Sequence, residues 1–197
     1  MEKSVESLAK EFDGIFERDH VRSLVEESAR ELARGQVAEF VPVLAHRFAR
    51  ERLRAQARTE GRVGSGVTGV LFVSLLGSGR AQIGAALLSR AAGDAVSVHT
   101  AGSDPGGEID ANVRIAMDEI GIDLSEEFTK PLSPEVVGDA DVVVTMGRSV
   151  GEVDIPASAR HVDWRVGDPA GAELAEVRRV RDDIERRVER LANELLK

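Results

Sequence analysis

Cysteine is absent from the 197 residues, which removes disulfides, thiolate metal sites and any cysteine nucleophile. No apolar run approaches the roughly 18 residues of a membrane-spanning helix, and no signal-peptide pattern opens the chain. Basic charge is in deficit: 26 Lys and Arg stand against 35 Asp and Glu, a formal net charge of −9. That balance argues against a general nucleic-acid or anionic-membrane surface. Any anion site must therefore work by local geometry against the overall field. The four histidines (His20, His46, His99, His161) show no pair at ligand spacing on one helix, so no metal site is expected. These absences describe a soluble, cytoplasmic protein without metal, cofactor, nucleic-acid or membrane partner.

What is present suffices for a packed core. Hydrophobic residues make up 42% and charged residues 31%, and the length allows one ordinary domain plus a small appendage. Residues 1–60 are helical by pattern. Val5, Leu8, Phe12, Ile15 and Phe16 fall on one face of a first helix, and Val21, Leu24, Val25, Ala29 and Leu32 on a second that stops near Gly35. Val41, Leu44, Ala45 and Phe48 mark a third, with Pro42 in its first turn. Three short helices bury little alone and gain most by packing on a partner. The basic stretch 50–55 reads as a solvated helix face rather than a nucleic-acid site. Residues 61–69, rich in glycine, read as a flexible linker.

From residue 70 onward strands alternate with helices. Val70–Val73, Val96–Thr100, Ala140–Met146 and Arg160–Trp164 read as strands, the third an unbroken apolar run suited to a sheet covered on both faces. Helical faces run from Ile83, from Ile109 to Ile120, and from Leu174 to Leu195. This alternation specifies an α/β domain over residues 70–197, with a parallel sheet whose ligands lie beyond the carboxyl ends of the strands.

The stretch after the first strand, Ser74-Leu75-Leu76-Gly77-Ser78-Gly79-Arg80, lies at that place. A strand, a tight loop and a helix start in succession aim backbone N–H groups and the positive end of the helix dipole at one small volume. Arg80 adds a planar fork of donors matched to phosphate-like oxygens. The plainer alternative is a simple strand-to-helix turn in which Arg80 pairs with a carboxylate.

Ser74-x5-Arg80, Asp168-Pro169, ThrAlaGlySer at 100–103, LysProLeu at 130–132 and ValValThrMetGly at 143–147 together resemble the low-molecular-weight protein tyrosine phosphatases, above all their arsenate reductase branch. The N-terminal helices resemble a three-helix dimerisation segment fused to some bacterial arsenate reductases. The resemblance implies a flavodoxin-like fold with a four-stranded parallel sheet of order 2-1-3-4, preceded by a small all-α domain, and a homodimer formed through residues 1–60. It places Ser74 at the nucleophile position, Arg80 and the loop N–H groups on the oxyanion, and Asp168 at the position of the general acid. It also implies that Gly77 takes a left-handed conformation.

The departures are chemical. Ser74 stands where the family has a cysteine, and a serine hydroxyl is essentially un-ionised at neutral pH, whereas a cysteine at a helix N-terminus is readily a thiolate. Ala81 replaces the serine that steadies the thiolate, and Arg148 stands where the reductase branch commonly has a relay cysteine. One engineered replacement would not remove all of these, so the loss reads as natural divergence. The resulting expectation is a site for an inorganic oxyanion (phosphate, arsenate or sulfate) or a phosphorylated ligand, held by residues 74–80 without the family's thiolate catalysis. Two alternatives stand beside it. One is residual phosphate-ester hydrolysis by Ser74 or an activated water with Asp168. The other is a structural or regulatory dimer with a vestigial pocket. Thr100, Ser103 and Arg148 are secondary candidates, and Trp164 reads as core or pocket wall.

Overall fold

The computed structural model describes residues 1–35, 39–64, 66–147 and 153–197. In chain order the elements are α1 (Glu2–Glu11), α2 (Arg18–Leu32), α3 (Val41–Thr59), β1 (Thr68–Ser74), α4 (Arg80–Ala92), β2 (Val96–Gly102), α5 (Ala111–Asp118), α6 (Pro134–Gly138), β3 (Val142–Met146), β4 (Arg160–Trp164) and α7 (Leu174–Leu195). They fall into two compact units: Met1–Gly66 with Ser133–Asp139, and Val67–Leu132 with Ala140–Lys197.

In the first unit the apolar stripes of α1, α2 and α3 meet in one buried cluster of Val5, Leu8, Phe12, Val21, Leu24, Val25, Ala49 and Leu53. The first helix is shorter than its periodicity suggests. It ends at Glu11, and a turn through Gly14, at φ 73°, carries Ile15 and Phe16 back against the cluster. At the far end of α3, Arg62 N–H reaches Ala57 O at 2.8 Å across Gly61 at φ 67°. That is a glycine-closed helix end, so the glycine-rich stretch begins as a cap.

The basic stretch of α3 is solvated at Arg50 and Arg54, as its composition suggests, but not at Arg52. Arg52 is 2% exposed. Its Nε and Nη2 donate to Oε2 and Oε1 of Glu135, both at 3.0 Å, and Nη2 also reaches Glu27 at 2.9 Å. Arg58 forks onto Asp139, with Nε to Oδ2 at 2.9 Å. Glu135 lies in α6 and Asp139 caps it, so two arginines of α3 hold a segment some 80 residues away in sequence. Part of what the helices pack on thus comes from their own chain. Arg50 and Arg54, still exposed, pair with Glu11. Burial pushes Glu135 up, but its bonds to Arg52 outweigh that and leave the carboxyl below the usual range. Glu31, 3.6 Å from Arg52 Nη1, goes the other way because burial outweighs the attraction.

The second unit is a four-stranded parallel sheet of order β2-β1-β3-β4, the flavodoxin-like arrangement. Val70, Phe72, Val142, Val144 and Met146 share a core with α4, α5 and α7. Along α7 the residues Val177, Val180, Ile184, Val188 and Leu191 recur every three or four positions and are buried. Each such aliphatic contributes about 1.5–3 kcal/mol relative to exposure. Leu71, Val73 and Val143, on the opposite pleat, are also fully buried, which accounts for the unbroken apolar runs. The register aligns Ser74 with Gly102 on one side and Met146 on the other, and Met146 with Trp164. Four strand ends therefore finish at one edge, where ligands of such sheets lie.

Candidate anion-binding site

Ser74 is the last residue of β1 and is 3% exposed. Its Oγ accepts the N–H of Gly77 at 3.2 Å, which curls the loop over the hydroxyl. Among the described residues, the N–H groups of Leu75, Leu76, Ser78, Gly79 and Arg80 find no main-chain acceptor. Gly77, Ser78, Gly79 and Arg80 are nevertheless buried, with only Leu76 exposed. A run of main-chain donors without main-chain acceptors in a mostly buried loop is uncommon, because an N–H that is buried and unsatisfied costs about 1–3 kcal/mol.

Two glycines allow the loop its path. Gly77 has φ 67°, and a Cβ there would lie 2.9 Å from Gly102 N. Gly79 leaves room for Pro169, whose Cγ would be 2.8 Å from its Cβ. The loop is also tied from outside. Gln82 Nε2 donates to Gly77 O at 2.8 Å and to Phe128 O at 3.3 Å. Ser103 N–H donates to Ser74 O at 3.1 Å and Asp104 N–H to Leu75 O at 2.8 Å. Gly102 N–H donates to Lys130 O at 2.8 Å, and Pro131 bridges to Gly102, so the LysProLeu segment braces the end of β2. Ser103 Oγ is buried without a hydrogen-bond partner among the described residues.

Arg80 opens α4 and is 8% exposed. Its guanidinium lies over Gly147, at φ 95°, where a Cβ would come within 2.7 Å of Cζ. Gly147 is held there by its N–H to Trp164 O at 3.2 Å. Arg80 Nη2 also lies 3.2 Å from Asp168 Oδ2, whose side chain is 58% exposed. Arg80 thus does have the carboxylate partner that the plainer reading of the loop anticipates. The pair engages one nitrogen, and its carboxylate is half in solvent, where such pairs contribute about 0–1 kcal/mol. Asp168 Oδ1 accepts Ala170 N–H at 3.2 Å, so the residue is also the local turn-former that an Asp-Pro pair suggests.

The structure thus brings Ser74, residues 75–79, Arg80 and Asp168 to one place. Thr100 lies 3.5 Å from Gln82 Nε2, one residue removed from the loop. Arg148 lies outside the described residues. Trp164 is core, 6% exposed, with its ring 5.8 Å from Phe72. Three of the histidines are engaged with neighbours, His20 with Gln56, His99 with Ser97 and His161 with Thr145. No cluster of three or more potential metal ligands occurs among the described residues, and among them no helix is long and apolar enough to cross a membrane. Gln82 is a site residue that no motif in the sequence marks, whereas Gly147 and Pro169 fall in the segments 143–147 and 168–169 that carry the resemblance. Gly147 follows β3 directly, and the ends of β1 and β3 are neighbours in such a sheet.

A parallel sheet whose first strand feeds an N–H-lined loop ending on an arginine, with an Asp-Pro turn set against it, defines a phosphatase-type α/β domain. Residues 69–197 match the model of the low molecular weight phosphotyrosine protein phosphatases, and residues 1–57 that of the protein-tyrosine-phosphatase-like N-terminal domain. The chain belongs to the low molecular weight phosphotyrosine protein phosphatase family. An arsenate reductase of Brevibacillus brevis is 32% identical over 125 residues, spanning 62% of this chain and 92% of that protein. The solved thioredoxin-dependent arsenate reductase of Corynebacterium glutamicum is 34% identical with a TM-score of 0.89, covering 99% of this chain and 96% of that one. An arsenate reductase solved in its phosphate-binding state is 26% identical with a TM-score of 0.59, covering 66% of this chain and 99% of that one.

Proposed function

We propose that this chain binds a tetrahedral oxyanion, or a ligand presenting one, in the loop Ser74–Arg80 and does not turn it over by the family's covalent route. The observation that carries this reading is the run of N–H groups without a main-chain acceptor around the Ser74 hydroxyl, closed by a buried arginine. Such a cradle suits phosphate, arsenate or sulfate. The relative solved in a phosphate-binding state and the buried, unpartnered Ser103 hydroxyl beside the loop support it. The loss of catalysis rests on chemistry. The chain has no thiol, and the cradle's few pKa units of anion stabilisation fall far short of ionising an alcohol at neutral pH. Ala81, fully buried, offers no hydroxyl to assist.

Calorimetric titration with phosphate, arsenate and sulfate tests the proposal. Millimolar or tighter binding that disappears in Arg80→Ala supports it. No heat, or binding indifferent to Arg80→Ala, overturns it. Turnover of an aryl phosphate lost in both Ser74→Ala and Asp168→Asn would establish the hydrolase instead.

The same reading includes a homodimer formed through residues 1–60. Its support is an apolar pair at the start of α3, Phe40 and Val43, which are 56% and 62% exposed and one helical turn apart. Sedimentation of the full chain tests it, and a monomer at micromolar concentration ends it.

A further inference from the structure

The sheet is open along β4. Among the described residues β4 pairs with β3 alone. Arg160 N–H donates to Asp141 O at 2.8 Å, and Trp164 O accepts Gly147 N–H at 3.2 Å. Arg160, Val162 and Trp164 therefore turn their main-chain groups to β3, and those of His161 and Asp163 point the other way. These outward groups have no main-chain partner among the described residues. Such a row is a template for one more strand. On the side of the sheet toward α7, Arg160, Val162 and Trp164 join Arg187, Arg190 and Leu191 around a cavity of about 160 Å³. Trp164 and Leu191 are buried and supply its apolar part. Three guanidiniums meet one carboxylate there, that of Glu194, which Arg160 engages at 2.7 Å. Arg187 pairs with Asp183 at 3.2 Å, whereas Arg190, exposed, makes no hydrogen bond or ion pair among the described residues. The patch is positive in a chain of net charge −9. Its cavity falls well short of the roughly 300–1,000 Å³ of a small-molecule pocket, and suits a single side chain.

We propose that β4 is a docking edge for an extended, acidic segment of a partner protein, which adds beside it as a further strand and sets a carboxylate side chain in the arginine-lined cavity. Main-chain bonds to His161 and Asp163 hold the segment, and Arg187 with Arg190 selects its charge. A basic segment is repelled at this edge. A second copy of this chain would bring another Arg160 to the same rim, which disfavours self-pairing.

The test uses the full chain and two capped octapeptides, one alternating Thr with Glu and the other Thr with Lys. Trp164 is the chain's single tryptophan and lines the cavity, so its emission reads occupancy. Two variants separate the two parts of the contact. Arg190→Glu reverses the unpaired charge, and Asp163→Pro removes an outward N–H without touching the ladder to β3. Thermal unfolding shows that both are folded. A saturable change in emission with the Glu peptide and not the Lys peptide, weakened at least about tenfold in each variant, supports the proposal. Weakening in Asp163→Pro is the sharper result, because that variant also removes a negative charge. No response to the Glu peptide at millimolar concentration, an equal response to the Lys peptide, or indifference to either variant overturns it. Emission that shifts with protein concentration alone identifies a second copy as the occupant and overturns it as well.

Discussion

The guanidinium of Arg80 lies against the Cα of Gly147, so closely that a Cβ on Gly147 would come within 2.7 Å of Arg80 Cζ. The floor under Arg80 is thus a glycine that follows a different strand, at φ 95°. Gly147→Ala carries two penalties, the left-handed backbone and the loss of the space that Arg80 occupies. Urea unfolding is expected to show a loss of roughly 1–3 kcal/mol. Arg80 must move, so phosphate affinity should fall about tenfold or more. The chain has one tryptophan and no tyrosine, and Trp164 O accepts the Gly147 N–H. Trp164 fluorescence is therefore a direct readout of both.

Gln82 provides a second handle on the loop. Its amide bonds Gly77 O and Phe128 O, and the side chain is 2% exposed. Gln82→Ala leaves these acceptors short of a donor in a buried setting, which costs about 2–3 kcal/mol. Gln82→Glu should weaken anion binding more than Gln82→Ala does, because it adds negative charge behind the loop. Equal affinities in the two variants would detach Gln82 from the site's electrostatics.

The residues that the sequence made legible are those whose meaning is local. Ser74, Gly77, Gly79 and Arg80 announce themselves because spacing along one loop is enough to define a cradle, and Ser74↔Met146 pairing follows from strand order. Arg52 was misread because composition speaks for an average arginine on a helix, whereas its burial is decided by Glu135, 83 positions away. The five residues of α6 carry no strong period of their own, and nothing local reveals that they belong with the N-terminal helices. The Arg80–Asp168 pair was open for the same reason, since an Asp-Pro turn reads identically whether or not an arginine lies across from it.

The Arg52 cluster makes opposite predictions for two carboxylates. Glu135 titrates below its ordinary value, so its stabilisation is present above the unfolded-state value and is lost as pH falls through the lowered folded one. Glu31 titrates above its ordinary value. Its contribution is present below the unfolded-state value and is lost as pH rises through the raised folded one. At neutral pH Glu135→Gln should therefore destabilise, by about 2–3 kcal/mol because Arg52 keeps Glu27 and Glu31. Glu31→Gln should stabilise slightly, by less than about 1 kcal/mol. Chemical denaturation of both variants from pH 7 down to about pH 4 should show each difference shrinking. A destabilised Glu31→Gln at pH 7 would contradict the account of its burial.

Ser74→Cys asks whether the nucleophile is all that stands between this loop and the family's chemistry. The Sγ would sit where Oγ now receives the Gly77 N–H, at the N-terminus of α4 and in the same cradle as Arg80. That environment lowers a thiol pKa from about 8.5 by one or more units. Alkylation by iodoacetamide should therefore proceed below pH 7, and phosphate should protect against it. The variant should also hydrolyse an aryl phosphate through a thiophosphate enzyme intermediate, with Asp168 placed to protonate the leaving oxygen. The rate should stay low because Ala81 has no hydroxyl, and it should rise when Ala81→Ser is added. The native chain should show none of this activity under the same conditions. A Ser74→Cys thiol that titrates at the ordinary value and is not protected by phosphate would mean that the loop's N–H groups do not converge on position 74, and the oxyanion cradle would fall with it.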